Sequence, residues 1–141
     1  LFRSDKLVPL LTYSHHVLRY DLRGHGASEA TAGDYSIELL VSDAMQIMRS
    51  LGLGPVHFYG VSLGGLLGLS IAVHKPDLLA TLTVSNLSAK LPVSREEWDR
   101  RISIVRREGV ASLATGVRER MFSAAMRDAS ACDSVSREAS T

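Results

Sequence analysis

Of the side chains that could act as a nucleophile, Ser62 has the most telling spacing: Gly60-Val61-Ser62-Leu63-Gly64, after the apolar Val56-His57-Phe58-Tyr59 and before the small, apolar Gly65-Leu66-Leu67-Gly68-Leu69. The pattern reads as a buried strand, a sharp turn and a helix. A serine raised clear of a sheet edge must sit on a turn that strains its own backbone. Side chains two residues to either side would then meet the neighbouring strand and helix, so the glycines at 60 and 64 are expected to relieve clashes. The helix that starts after Ser62 points unpaired N–H groups and its positive dipole end at the serine oxygen, which makes the amide of Leu63 the expected half of an oxyanion hole. The chemistry served is attack on a carbonyl. The competing reading is a plain Gly/Ser turn between a core strand and a core helix; the patterns on both sides favour the nucleophile.

The elements that must position Ser62 follow in chain order. Leu7-Val8-Pro9-Leu10-Leu11 has proline at its centre and reads as a short helical or irregular approach, closed by His15 and His16 in a turn. Val17–Asp21 is strand-like and leads into Leu22-Arg23-Gly24-His25-Gly26-Ala27-Ser28, a glycine-marked loop at a strand's carboxyl end, where function gathers in open α/β sheets. Arg23 and His25 suit bracing of that loop; catalysis by His25 is the weaker reading. Ser36 caps a helix whose stripe is Ile37, Leu40, Val41, Ala44, Ile47, Met48 and Leu51, ended by Gly52 and Gly54. After the elbow helix, Lys75-Pro76-Asp77 breaks the pattern and Ala80–Ser85 reads as a third strand. Two successive βαβ units predict adjacent parallel strands in a sheet covered on both faces, with the 36–51 and 64–74 helices on opposite sides.

Beyond Asn86 no further strand is expected. Ser94-Arg95-Glu96-Glu97 fits a capping box, Trp98, Ile102 and Val105 make one stripe, and Gly109 is a natural stop. Val110, Leu113, Ala114, Val117 and Met121 make the stripe of a second helix, so the two form a lid-like insertion. The many arginines of this stretch read as solvated helix faces. The expected division is therefore 1–88, a partial α/β core; 89–126, the start of a helical cap; and 127–141, a disordered tail.

The chain has 141 residues, with 16 basic and 15 acidic side chains for a net charge of +1. That balance leaves no electrostatic footprint for nucleic acid or an anionic membrane. Its longest apolar stretch is too short to span a bilayer. One cysteine, Cys132, permits no internal disulfide, and no Cys/His cluster has zinc-ligand spacing, so a metal-free protein of a reducing cytoplasm is expected. Starting at Leu1 rather than Met, the sequence reads as a piece of something longer.

Val17-Leu18-Arg19-Tyr20-Asp21-Leu22-Arg23-Gly24-His25-Gly26-Ala27-Ser28, His57-Phe58-Tyr59-Gly60-Val61-Ser62-Leu63-Gly64-Gly65 and Trp98-Asp99-Arg100-Arg101-Ile102 together resemble the α/β-hydrolase family over about residues 7–126. Within that family the wording is most similar to the 3-oxoadipate enol-lactonases of aromatic-compound breakdown. The resemblance implies an α/β-hydrolase fold and cleavage of a small ester or lactone through an acyl-enzyme, with Ser62 attacking and backbone N–H groups holding the oxyanion. It implies no metal or cofactor, and it makes His25 and Trp98 candidates for the substrate pocket. A serine at 62 speaks against the branches whose nucleophile is a carboxylate.

The family's order is serine, acid, histidine. After Ser62 the only histidine is His74, roughly 18 Å along the same helix at 1.5 Å per residue. Asp77, Asp99, Asp128 and Asp133 do not match an acid at the end of a later strand. Base, acid and first oxyanion loop are thus expected outside these residues. Three readings compete: an enol-lactonase seen in part, a general carboxylesterase or cofactor-free haloperoxidase-like relative, and a catalytically silent module kept for binding.

Overall fold

The computed structural model describes residues 6–88 and 93–123, and the chain divides into two units, Leu1–Leu87 and Ser88–Thr141. The expected tail, 127–141, lies outside the described residues. In the first unit Pro9 opens a one-turn helix, α1 (Val8–Leu11), where its missing N–H costs nothing. Ser36 has extended backbone and its hydroxyl accepts from the Leu39 amide at 3.2 Å, which starts α2 (Ile37–Ser50). Gly52, at φ 62°, carries the chain out of that helix. There follow β1 (Val56–Val61), α3 (Leu63–His74), a 3-10 turn over Pro76–Leu78 and β2 (Leu79–Ser85). β1 and β2 run parallel, with Phe58 opposite Leu82 and Val61 opposite Ser85.

The core lies between helices and sheet. Leu40, Val41, Ala44 and Met48 of α2 are buried with Leu67 and Ile71 of α3, and Val56, Phe58 and Leu79 of the strands pack on them. Removing a fully buried side chain such as Ile71 down to alanine typically costs about 2–5 kcal/mol. α3 is apolar almost all round because it lies between α2 and both strands. Gly68 makes this close packing possible: a Cβ there would stand 2.6 Å from Leu82 Cδ1 and 3.0 Å from the Phe58 ring.

Several expectations are corrected. Val17–Asp21 is not a strand; the sheet has two strands among the described residues, and a strand exists only through a ladder partner. Helices α2 and α3 pack against each other on one side of the sheet rather than on opposite sides. The opposite-side expectation required a strand before α2; without one among the described residues, α2 is no crossover between strands, and its apolar stripe stacks on α3. Among the described residues, both helices of this unit's core therefore lie on one face of the sheet. On its other face His57, Tyr59, Thr81 and Thr83 are exposed. There His57 Nδ1 lies 2.9 Å from Thr81 Oγ1, and the exposed His15 ring meets that of His57 edge-on at 5.7 Å.

In the second unit Ser94 accepts from the Glu97 amide at 3.3 Å and starts α4 (Arg95–Glu108). Only half of the capping box forms, because the Glu97 carboxylate is taken by Arg100 with two bonds of 2.9 Å and by Arg101 with one of 2.9 Å. Those two guanidinium groups, Arg100 foremost, hold the Glu97 carboxyl down at about 2. Gly109, at φ 81°, ends the helix, as its freedom to take left-handed backbone allows. The helix expected beyond it is split into a 3-10 turn, Val110–Leu113, and α5 (Ala114–Met121). None of the described residues of this unit is buried.

The glycines of α3 make a stability test. Gly64→Ala adds a methyl group with nothing within 4 Å and should leave stability unchanged or raise it by up to about 1 kcal/mol. Gly68→Val overpacks the contact with Phe58 and Leu82 and should cost about 1–3 kcal/mol. Urea unfolding of both variants checks this, and the opposite ranking would contradict the packing described.

Candidate active site

The turn between β1 and α3 is built from a backbone conformation that most residues avoid. Ser62 lies at φ 52° and ψ −114°, a costly region for an L-residue, which persists only where surroundings impose it. Three contacts impose it. Its N–H donates to Ser85 O at 3.0 Å, its carbonyl accepts from the Leu66 amide at 3.1 Å, and Gly60 lets the next helix come close. A Cβ on Gly60 would run into the Gly64 carbonyl and the Gly65 amide. The second glycine expected to relieve a clash does not: the space around Gly64 is open. Gly65 is the more closely packed of the two, since its Cβ would lie 3.4 Å from Gly60 O and 3.3 Å from Leu87 Cδ2, near contact without a clash.

Three serines stand before helices here, and Ser62 differs from the other two. Ser36 and Ser94 have extended backbone, and each hydroxyl caps its helix. Ser62 makes no side-chain cap, and its backbone is not the extended one that the two capping serines share. It is exposed. The first helical bond of α3 runs from Leu66 to Ser62, so the amides of Leu63, Gly64 and Gly65 have no intrahelical acceptor. A free hydroxyl beside unpaired helix N–H groups can attack a carbonyl and stabilise the oxyanion that results.

The 22–28 loop is braced with unusual density. Arg23 grips Asp43 of α2 with two bonds, Nε to Oδ2 at 2.7 Å and Nη2 to Oδ1 at 2.6 Å, and Nη1 donates to Thr31 Oγ1 at 2.9 Å. Its guanidinium also lies over the Tyr35 ring, 5.8 Å from the centroid. Within the loop, Asp21 accepts from the Ala27 amide at 3.0 Å, and Ser28 Oγ donates to Asp21 O at 2.6 Å. A Cβ on Gly24 would press on Tyr35 and one on Gly26 would meet the Asp21 carboxylate. Hydrogen bonds from Arg23, and then its charge, hold the Asp43 carboxyl below the ordinary carboxylate range. Burial, seconded by the charge of Asp43, pushes the Tyr20 phenol up. A cavity of about 460 Å³ opens beside the brace, lined by Tyr20, Arg23, Glu29, Asp43 and Gln46 among others.

Ser62 and Leu63 are thus adjacent at the carboxyl end of β1. His25 is exposed, and its Nδ1 lies 3.2 Å from Arg23 O within its own loop. Trp98 lies on α4, 42% exposed, with the Arg101 guanidinium 5.5 Å from its ring centroid. No described histidine has a hydrogen bond to Ser62. His74 bonds back to Ser70 O at 2.8 Å at the far end of α3, and His57 bonds to Thr81. No group of three or more metal-ligating side chains occurs among the described residues, and no described helix is long and apolar enough to cross a membrane. Sequence reasoning did not anticipate the partners Asp43, Thr31 and Tyr35, whose separation from Arg23 gives no local pattern. Nor did it anticipate the role of Ser85 O, which only the parallel register brings to Ser62.

Comparison with known proteins gives the same fold. The sequence profile of the alpha/beta hydrolase fold matches residues 1–108. A 3-oxoadipate enol-lactonase of Acinetobacter baylyi is 34% identical over 108 residues, 77% of this chain and 40% of that protein. The protein RutD of Stutzerimonas stutzeri, named for carbamate hydrolysis, is 36% identical over 107 residues, 74% of this chain and 40% of its own length. The crystal structure of the enol-lactonase from Burkholderia xenovorans LB400 superimposes with a TM-score of 0.80 at 36% identity, over 94% of this chain and 50% of that one. The chain spans about two fifths of the length of the curated relatives it matches.

The brace gives a pH test. Because the folded Asp43 carboxyl is held low, the pair's contribution is complete above about pH 4 and is lost as pH falls through the lowered value. The stability difference between the protein and Asp43→Asn should therefore be constant near neutrality and shrink below about pH 4. Urea unfolding across that range measures it; a difference undiminished in acid would show that the ion pair is not its source.

Proposed function

From a chain that belongs to the alpha/beta hydrolase fold family, we propose a serine hydrolase that cleaves a small ester or lactone, with 3-oxoadipate enol-lactone as the substrate. The observation that carries this reading is Ser62 itself, strained at φ 52° and exposed, with a hydroxyl that caps nothing. Likeness to enol-lactonases over most of this chain supports the substrate. In the proposed reaction Ser62 Oγ attacks the ring carbonyl as its proton passes to a base, and the Leu63 amide donates to the oxyanion. The carbon–oxygen bond of the ring then breaks, the leaving oxygen takes the proton, and water hydrolyses the acyl-serine. His25 and Trp98 stand as candidates for substrate contact. The protein works on a small molecule, without metal or cofactor; its single cysteine fits the cytoplasm.

A second reading is favoured by a specific observation. No described histidine bonds Ser62, so these 141 residues by themselves fit a silent hydrolase-like module. A general carboxylesterase, a haloperoxidase-like relative or a carbamate hydrolase differs from the first reading in substrate alone.

The test separates these readings. The isolated 141 residues should neither hydrolyse an enol-lactone or activated ester above background nor take a fluorophosphonate label, since loss of the base removes a factor on the order of 10⁶ from a known triad. The complete protein should do both and lose both on Ser62→Ala. Rapid labelling of the 141 residues at Ser62 would require a base within them, with His25→Ala the first variant to examine. Turnover of simple esters without the enol-lactone would move the substrate to the esterase reading.

A further inference from the structure

Two described residues other than glycine have left-handed backbone, Ser62 at φ 52° and Asn86 at φ 53°. They occupy equivalent places. Val61 and Ser85 are opposed in the last register pair of the parallel ladder, and the outlier is in each case the residue that follows. One bond joins the two ends, from Ser62 N–H to Ser85 O at 3.0 Å. That carbonyl belongs to the planar peptide between Ser85 and Asn86, so its direction is coupled to the backbone of Asn86. Asparagine is among the few residues other than glycine that enter this region readily, whereas a β-branched residue strongly resists it. Asn86 is exposed, so core packing does not account for a strained residue here.

We propose that Asn86 is a positioning residue for Ser62: by holding a left-handed turn directly after β2, it fixes the Ser85 carbonyl that anchors the Ser62 amide, and with it the direction in which the serine presents its hydroxyl. The inference rests on the reading of Ser62 as nucleophile. It concerns backbone geometry, not side-chain chemistry, and so it makes an ordering. Glycine at 86 keeps the turn, alanine weakens it, and valine opposes it by roughly a factor of ten or more in population.

The experiment uses the complete protein with Asn86→Gly, Asn86→Ala and Asn86→Val, read by steady-state kinetics, by the rate of fluorophosphonate labelling and by hydrogen exchange at the Ser62 amide. Asn86→Gly should keep kcat and labelling within about threefold, while Asn86→Val lowers both by about tenfold or more with little change in KM. Exchange at the Ser62 amide should quicken in Asn86→Val and not in Asn86→Gly. If the valine variant does not fold, alanine carries the test with a smaller loss in the same direction. A folded valine or alanine variant with unchanged kcat and labelling would overturn the proposal. So would a glycine variant as impaired as valine, which would assign the effect to the side-chain amide. Should the unsubstituted protein take no label and be indifferent to Ser62→Ala, the nucleophile reading fails by itself. Amide exchange then still decides whether Asn86 holds the Ser62–Ser85 bond, and protection unchanged in Asn86→Val would overturn that too.

Discussion

Ser62 holds φ 52° and ψ −114° against the preference of an L-residue, and most of what surrounds it can be understood as what that conformation requires. Its amide needs an acceptor, which the parallel register supplies in Ser85 O. The helix behind it must leave at once, which requires Gly60 to lack a side chain. That helix in turn must lie close to the sheet, which Gly68 permits, and it must be buried from above, which the apolar stripe of α2 achieves. The strain is local, and the packing that holds it extends through the first unit.

Much of this arrangement was legible because it is local in sequence. The N-caps at Ser36 and Ser94, the stop at Gly109 and most of the stripe of α2 depend on residues within a turn or two of one another, and they form where the spacing predicts. The elbow belongs to the same class, since its strand, turn and helix are contiguous. Two positions of the stripe fall outside the core: Leu51 lies beyond the helix end and is exposed, and Ile47 borders the cavity beside Arg23.

What was not legible depends on partners distant in sequence. Val17–Asp21 has the composition of a strand, but composition does not supply a ladder partner, and among the described residues it has none. With no described strand before it, α2 is not a crossover helix, and its place is set by the packing of its stripe on α3, a pairing distant in sequence. Gly64 and Gly65 show the limit of motif reasoning at finer scale. The pattern names position 64 as one relieved of a clash; in the actual approach of helix to strand Gly60 alone of the two meets backbone, and the closer packing in the helix falls at Gly65. Arg23 was readable as a brace, yet its anchor Asp43 could be found only once α2 was seen beside the loop.

The hydroxyl of Ser62 supports no helix, and its backbone angles suit glycine far better than serine. A protein selected for stability alone would therefore not keep serine at this position. Glycine there would lose no cap, would relieve a backbone strain of about 1–3 kcal/mol, and would leave a better-relaxed molecule without a hydroxyl at the turn. At this one residue the side chain that is present is not the one its backbone favours, and under the proposed function stability and reactivity would pull in opposite directions here.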